Sequence, residues 1–290
     1  MAELYNPGTV RALLEQHGLR PQKALGQNFI VNPSVCPRIA EGGGARSGVG
    51  ALEIGPGIGV LTSELAKRCE KVVAIELDKG LIPLLGETLG GFPNVEVVHG
   101  DALKLDLPAL VQERFGDLPV IVCANLPYYI TTPILMRLLE SGIAFESVTV
   151  MVQKETARRF VAPLPSREAG AITMAIAYRA DCRALFDVSA GCFLPKPKVD
   201  SSVIKLTPHH RPPVDVRDQA MLFAVIRAAF SQRRKTLLNC LSNAFTLPKP
   251  EVSELLCSAG VALASRGEQL DLATVARIAD ALTQKEQRLR

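Results

Sequence analysis

Between residues 51 and 161, short segments rich in β-branched and apolar residues alternate with segments of helical periodicity. Buried parallel strands have continuous apolar runs of this kind, and a crossover connection, usually a helix, must join each to the next. The alternation therefore predicts an α/β fold with a doubly wound, mostly parallel sheet. The predicted strands are residues 51–54, 71–75, 95–99, 120–124 and 147–153, with 183–188 and 202–206 as a closing pair.

A proline-broken linker at residues 207–213 separates this pattern from a C-terminal part of different character. Beyond the linker there are no strand signals, and four segments show helical periodicity. With 290 residues, 48% of them hydrophobic and 21% charged, the chain can form one large globular domain and a smaller one. We expect an amino-terminal helical segment at 1–50, an α/β core at 51–208 and an all-α domain at 213–290.

Residues 20–31 carry basic, amide and aromatic groups without clear periodicity. Such a segment is typical of an ordered loop laid over the core. The alternative is a lid that contributes Gln27, Asn28 and Ile30 to a ligand site.

Charge and cysteine usage limit the classes of protein that fit. The net charge of +4 permits an anionic partner without requiring one. The seven cysteines include no C-x-x-C, and none of the four histidines has metal-ligand spacing, so we expect reduced thiols and no metal site. The sequence has no signal peptide and no apolar run of membrane-spanning length, which predicts a cytoplasmic protein.

A glycine cluster and two acidic residues follow successive predicted strands. Gly55, Gly57 and Gly59 follow the first strand, Glu76 ends the second, and Asp101 comes just after the third. Glycines at such a turn let the backbone approach a ligand closely, and carboxylates can accept hydrogen bonds from ribose hydroxyls and an adenine amine. The pattern predicts a nucleoside site. The alternative is that each carboxylate only caps a helix.

The glycine spacing bears on which nucleoside cofactor binds. A dinucleotide site has the pattern G-x-G-x-x-G, with a pyrophosphate at the helix amino terminus. Here the third glycine falls one position early, and Pro56 removes a backbone donor that a pyrophosphate would use. S-adenosylmethionine has no phosphate, so the spacing favours it as the cofactor.

The fourth strand runs directly into Asn125-Leu126-Pro127-Tyr128. Ligands of open α/β sheets bind at the carboxyl ends of strands, so an amide, a proline carbonyl and an aromatic ring here suit a planar amine. The Asn125 oxygen and the Pro127 carbonyl could accept both protons of an adenine amine and direct its lone pair at a methyl donor. Stacking of the base on Tyr128 is worth about 1–3 kcal/mol. The alternative is that these residues only form a strand-terminating turn.

Eight motifs together resemble the KsgA-type small-subunit ribosomal RNA adenine dimethyltransferases, in family order between about residues 20 and 245. They are Gly26-Gln-Asn-Phe-Ile30, Glu53-Ile-Gly-Pro-Gly-Ile-Gly59, Glu76-Leu-Asp78, Gly100-Asp-Ala102, Asn125-Leu-Pro-Tyr128, Gln153-Lys-Glu155, Phe193-Leu-Pro-Lys-Pro-Lys-Val-Asp-Ser201 and Phe230-Ser-Gln-Arg-Arg-Lys235.

The resemblance implies a class I S-adenosylmethionine-dependent methyltransferase, with a Rossmann-like, mostly parallel seven-stranded sheet and a smaller all-α C-terminal domain. The implied reaction adds four methyls to two adjacent adenines near the 3′ end of small-subunit ribosomal RNA, within an immature subunit. By position, the resemblance gives Asn125, Pro127, Tyr128 and Phe193 to the target base. It gives S-adenosylmethionine the residues Asn28, Ile30, Gly55, Glu76, Asp101 and Asn125. Ile30 stands where leucine is usual in the family, a change that keeps the volume.

Basic residues suggest how RNA could be held. Arg233, Arg234 and Lys235 cluster at a junction between two predicted helices, and we expect them to contact RNA. Further candidates are Arg20, Lys23, Lys196, Lys198 and Lys205. The alternative for any single one of these side chains is a solvated surface charge.

Three other functions fit parts of the sequence. The first is a large-subunit rRNA adenine methyltransferase of the macrolide-resistance type, and the second is a non-catalytic ribosome-assembly factor. A nicotinamide-dependent oxidoreductase is the third. The motifs at 193–201 and 230–235 favour the small-subunit enzyme, for which a monomer is expected.

Overall fold

The computed structural model describes residues 2–22 and 25–289. It divides into two compact units, one of Met1–Ala157 with Arg183–Pro208 and one of Arg158–Cys182 with His209–Arg290. The helices are α1 (Pro7–Gln16), α2 (Val35–Gly43), α3 (Val60–Ala66), α4 (Leu81–Leu89), α5 (Leu107–Phe115), α6 (Thr131–Glu140), α7 (Lys154–Phe160), α8 (Ala171–Arg179), α9 (Gln219–Ala229), α10 (Leu237–Phe245), α11 (Lys249–Ser258) and α12 (Leu272–Leu289). The strands are β1 (Phe29–Ile30), β2 (Gly50–Ile54), β3 (Lys71–Glu76), β4 (Val95–His99), β5 (Val120–Asn125), β6 (Ser147–Gln153), β7 (Ala180–Val188), β8 (Phe193–Leu194) and β9 (Ser201–Pro208).

The first unit is built on a seven-stranded sheet with the strand order β4-β3-β2-β5-β6-β9-β7. The pairs β3–β4, β2–β3, β2–β5 and β5–β6 are parallel, and β6–β9 is antiparallel. Every residue of β2 is buried, as expected for a central strand covered on both faces. The predicted mostly parallel sheet is therefore confirmed.

The chain reverses its direction of progress across the sheet between β2 and β5. From β2 it proceeds outward through β3 to β4, then returns to place β5 on the other side of β2. The carboxyl ends of two such strands frame a crevice, which is where open α/β sheets bind ligands. In this chain the glycine turn after β2 and Asn125 at the end of β5 flank that crevice.

The second unit is helical. Its buried residues come from α8 to α12 and include Leu222, Ile226, Leu256 and Ile278. Apolar residues repeat at helical spacing along α9, and the Asp218 side chain caps its first turn by accepting from the Ala220 and Met221 amides. This arrangement agrees with the expected helical C-terminal part.

The compact units differ in two places from the ranges expected from the sequence. The amino-terminal 1–50 belongs to the first unit, since Val10, Leu14, Ile39 and other residues of α1 and α2 lie in its core. Residues 158–182 belong to the second unit although the sequence placed them in the core range, because Met174 and Tyr178 of α8 pack in the helical core. Helix α5 was not predicted at all.

No helix in the described part of the chain is long and apolar enough to cross a membrane.

Candidate active site

A cavity opens at the carboxyl edge of the sheet, in the crevice between β2 and β5. The cavity is open to solvent, and the empty space within it and its mouth is about 1040 Å³. Turns after four parallel strands line it, together with residues 25–30 of the amino-terminal segment. The predicted site residues that line it are Asn28, Ile30, Gly55, Glu76, Asp101, Asn125, Pro127 and Tyr128.

The glycine turn brings the main chain to the cavity floor. Gly55 has φ 74°, in the left-handed region that favours glycine. A Cβ atom built on Gly55 would face the cavity, with the Asn125 main-chain oxygen at 3.9 Å as its nearest neighbour. Any other residue here would be strained and would also fill space that a ligand could occupy.

Glu76 is held in place by the turn that follows β3. Its Oε1 accepts a hydrogen bond of 2.7 Å from the Asp78 amide. Burial raises the pKa of Glu76, while the main-chain amides of Asp78 and Gly57 oppose that rise by stabilising the charged form. These main-chain amides hold the Glu76 carboxylate in the cavity wall.

Asp101 makes a local turn at the end of β4. Its Oδ1 accepts from the Leu103 amide at 2.9 Å, and its Oδ2 lies 3.6 Å from the Lys104 Nζ. The helix-capping alternative considered from the sequence is wrong for Asp101, because α5 begins at Leu107 and is capped by Asp106. The Asp101 side chain instead closes a turn in the cavity wall.

The Asn125 side chain has its orientation set by the amino-terminal segment. Its Nδ2 donates to the Asn28 main-chain oxygen at 3.2 Å. Because the nitrogen is committed to that contact, Oδ1 is the acceptor that the amide can offer to a ligand.

The Pro127 carbonyl does not fit the role expected for it. It accepts from the Ile130 amide at 3.1 Å and from the Thr131 hydroxyl at 3.2 Å. A carbonyl oxygen has two lone pairs, and both are used here to close the turn before α6. The prediction that it accepts an amine proton is therefore wrong. Leu126, which precedes it, also lines the cavity.

Tyr128 is tied to the start of β9. Its hydroxyl and the Ser201 Oγ form a hydrogen bond of 2.8 Å, and Ser201 is fully buried. Burial raises the pKa of Tyr128, so the phenol is neutral at physiological pH. This contact fixes a ring that lines the cavity, and no sequence motif indicated it.

Phe193 is the one expected target-base residue that does not line the cavity. It forms β8 with Leu194, and its Cα pairs with that of Ile30 in an antiparallel contact. Its side chain is 4% exposed and packs in the core of the first unit. The resemblance placed Phe193 at the other face of the base, but the structure buries it beneath β1.

Glu53 lies in the cavity wall and was assigned no role from the sequence. It is 1% exposed, and its Oε2 has no hydrogen-bond partner among the described residues. Burial and the neighbouring Glu76 raise the pKa of Glu53 from 4.5 to about 8. Its carboxyl group is therefore mostly protonated at neutral pH.

Arg233, Arg234 and Lys235 are exposed in the turn between α9 and α10 of the second unit. The Arg233 Nη2 donates to the Arg167 main-chain oxygen at 2.8 Å, which holds the guanidinium at the surface. The three residues form a compact basic cluster, as their spacing suggested.

The other basic candidates differ from one another. Arg20, Lys196 and Lys198 are exposed in the first unit. Lys205 instead points into the protein and donates to a main-chain oxygen of α2 at 3.0 Å, so it is a structural residue. Burial lowers its pKa. Lys23 lies outside the described residues.

No group of three or more His, Cys, Asp or Glu side chains within the described ranges is placed to hold a metal ion.

A family model described as ribosomal RNA adenine dimethylase matches residues 18–284, which is most of the chain. The chain belongs to the ribosomal RNA adenine dimethylase family. This membership confirms the predicted family and enzyme class. The dimethylase is similar to a ribosomal RNA small subunit methyltransferase A of Shouchella clausii, with 44% identity over 283 residues that cover 97% of this chain and 96% of the relative.

Two solved structures share the fold of this dimethylase. The 23S rRNA methyltransferase ErmE is 28% identical, with a TM-score of 0.68 over 89% of this chain and 100% of that one. A dimethyladenosine transferase from Plasmodium falciparum is 24% identical, with a TM-score of 0.73 over 89% of this chain and 98% of that one. The predicted class I methyltransferase fold is confirmed.

The cofactor of this dimethylase is S-adenosylmethionine, as predicted. The cavity fits that molecule on two counts. The turn at Gly55 leaves room for a close approach, and Glu76 places a carboxylate in the cavity wall at the end of β3. Pro56 removes an amide that a pyrophosphate would need, which disfavours a nicotinamide dinucleotide.

Proposed function

We propose that this dimethylase methylates the N6 atoms of two adjacent adenines near the 3′ end of small-subunit ribosomal RNA, within an immature small subunit. The observation that carries the proposal is the orientation of Asn125. Its Nδ2 is held by Asn28, so its Oδ1 is presented as an acceptor beside the cavity that Glu76 and Asp101 frame.

The cofactor would be held from several sides of the cavity. Glu76 would accept hydrogen bonds from the ribose hydroxyls, and Asp101 would accept one from the adenine amine of the cofactor. Gly55 would allow the main chain to approach the amino-acid tail. Asn28 and Ile30 would cover the ligand from the amino-terminal segment. S-adenosylmethionine supplies an electrophilic methyl group on a positively charged sulfur.

The target amine would be gripped by the loop after β5. Its nitrogen is a poor nucleophile because the lone pair is delocalised into the purine ring. Asn125 Oδ1 and the Leu126 carbonyl would accept its two protons and draw the nitrogen towards a tetrahedral geometry with the lone pair free. Tyr128, fixed by Ser201, would stack on the base once it has left its own stack.

No strong general base is needed in this mechanism. The methylated ammonium is acidic enough to lose its proton to water, so the residues act by positioning and alignment. Before the second transfer the monomethylated amine keeps its lone pair but has a single N–H, so one of the two acceptors, Asn125 Oδ1 or the Leu126 carbonyl, would hold it. We propose that neither a metal ion nor a second subunit takes part.

The choice of the small subunit rests on the relatives. The relative that is 44% identical is a small-subunit enzyme, and the 23S rRNA methyltransferase ErmE is 28% identical. The exposed cluster Arg233, Arg234 and Lys235 would add contacts to RNA phosphates. We propose that the enzyme acts in the cytoplasm, because its proposed substrate is an assembling ribosomal subunit.

The test is methylation of separated immature subunits. Small and large subunits lacking the modification are incubated with the protein and labelled S-adenosylmethionine. Label in small-subunit RNA alone supports the proposal, and label in large-subunit RNA favours the macrolide-resistance activity. An Asn125→Ala variant that still binds small subunits but transfers no methyl would show that catalysis and an assembly role coexist.

A further inference from the structure

Asp78 links the amino-terminal segment to the end of β3, where Glu76 lies. Its Oδ2 accepts hydrogen bonds from the side-chain amides of Gln22 and Gln27, both at 2.8 Å. Its Oδ1 accepts from the Gly80 amide at 3.0 Å, and its own amide donates to Glu76 Oε1 at 2.7 Å. The Asp78 side chain thus contacts the amino-terminal segment, while the Asp78 amide orients the Glu76 carboxylate in the cavity wall.

The segment that Asp78 holds forms part of the cavity wall. Residues 25–30 line the cavity, and Asn28 fixes the Asn125 amide. At the carboxyl-terminal end of this stretch, Phe29 and Ile30 pair with β8. Before it, the Gln27 Oε1 accepts from the Gln22 amide at 2.8 Å, so the two glutamines and Asp78 form one hydrogen-bond network.

We propose that Asp78 is a positioning residue, a latch that holds Gln22 and residues 25–28 at the cavity and so retains the bound methyl donor. The chemistry is specific, because both glutamine nitrogens donate to one carboxylate oxygen. Hydrogen bonds to a charged acceptor are about twice as strong as neutral ones. The proposal rests on the proposed function, since it assumes that S-adenosylmethionine occupies the cavity.

The Asp78→Asn variant tests the contacts with the two glutamines separately from the turn that Asp78 forms with Gly80. Asparagine can still accept from the Gly80 amide, and its backbone can still donate to Glu76. It has one acceptor oxygen where aspartate has two, so its Nδ2 would face the two glutamine nitrogens and repel them. Asp78→Asn therefore keeps the turn and opens the latch.

The experiment measures the dissociation rate of S-adenosylmethionine from the full-length protein by stopped flow. We expect Asp78→Asn to dissociate roughly 10- to 100-fold faster, with little change in the association rate, because a latch acts after the ligand has entered. Gln27→Met, which removes one donor, should give a similar effect. The double variant should be no worse than the stronger single one, since both changes break the same contact.

The control is Asp106→Asn. Asp106 also accepts from a main-chain amide, that of Ala109, but it caps α5 away from the cavity. S-adenosylmethionine should dissociate from Asp106→Asn at the wild-type rate. An unchanged dissociation rate in Asp78→Asn, or effects of Asp78→Asn and Gln27→Met that simply multiply, would overturn the latch. A wild-type protein that binds no S-adenosylmethionine would instead refute the proposed function.

Discussion

Glu53 is expected to make the stability of this protein fall as pH rises through the neutral range. Its pKa is about 8 in the folded chain and 4.5 is its ordinary value, so the folded state binds one proton more than the unfolded state between these limits. The contribution of protonated Glu53 to the free energy of unfolding is complete below pH 4.5, and it is lost as the pH rises towards about 8. The slope for one proton is about 1.4 kcal/mol per pH unit, which gives about 3 kcal/mol between about pH 5.5 and 7.5.

Glu53→Gln replaces the titratable carboxyl group with an amide of about the same size. Urea unfolding of both proteins, followed by circular dichroism at several pH values, gives the difference in their free energies of unfolding. That difference should move by about 3 kcal/mol in favour of the variant across the interval. Glu64→Gln is the control. Glu64 is also buried, but its ion pairs with Lys67 and Arg68 leave its pKa lowered from 4.5, so it is ionised in both the folded and the unfolded state between about pH 5.5 and 7.5. Parallel profiles for wild type and Glu53→Gln would mean that Glu53 is ionised in the native state.

Three further predictions concern binding and transfer. Glu76→Gln should weaken S-adenosylmethionine binding roughly tenfold to hundredfold in calorimetry, because a charged acceptor of ribose hydroxyls is lost; unchanged affinity would remove Glu76 from the cofactor site. Tyr128→Phe and Ser201→Ala should each lower kcat/KM by about three- to tenfold, and together no further, since they break one hydrogen bond; additive losses would contradict a shared contact. Neutralising Arg233 and Arg234 together should weaken RNA binding and reduce its salt slope by about 2, with S-adenosylmethionine affinity as the unchanged control; equal loss of both affinities would contradict an RNA role.

The sequence predicted most of the fold because local patterns determine which segments become strands and helices. The order of the strands could not be derived in this way, since pairing β9 between β6 and β7 depends on contacts distant in sequence. Helix α5 was missed although a start signal is present: Asp106 caps it by accepting from the Ala109 amide, with Pro108 in its first turn. The assignment of α8 to the second unit could not be predicted, because it depends on packing against other helices, which the periodicity of α8 alone does not specify.

The main cavity residues were predictable for a topological reason. Parallel strands bring their carboxyl ends to one edge, so Gly55, Glu76 and Asn125 had to lie near one another. The residues that hold the site in place were not predictable. The partners of Asp78 are 51 and 56 residues away, and that of Ser201 is 73 residues away. No local pattern signals such contacts.

The central claim is that the Asn125 amide grips an adenine amine beside a bound methyl donor. Mass spectrometry of adenosines from immature small subunits, after incubation with the protein and S-adenosylmethionine, tests it directly. Two neighbouring adenosines should each gain two N6-methyl groups with wild type, and none with Asn125→Ala when both proteins are saturated with S-adenosylmethionine. Full dimethylation by Asn125→Ala, or methyl groups on any atom other than N6, would contradict it.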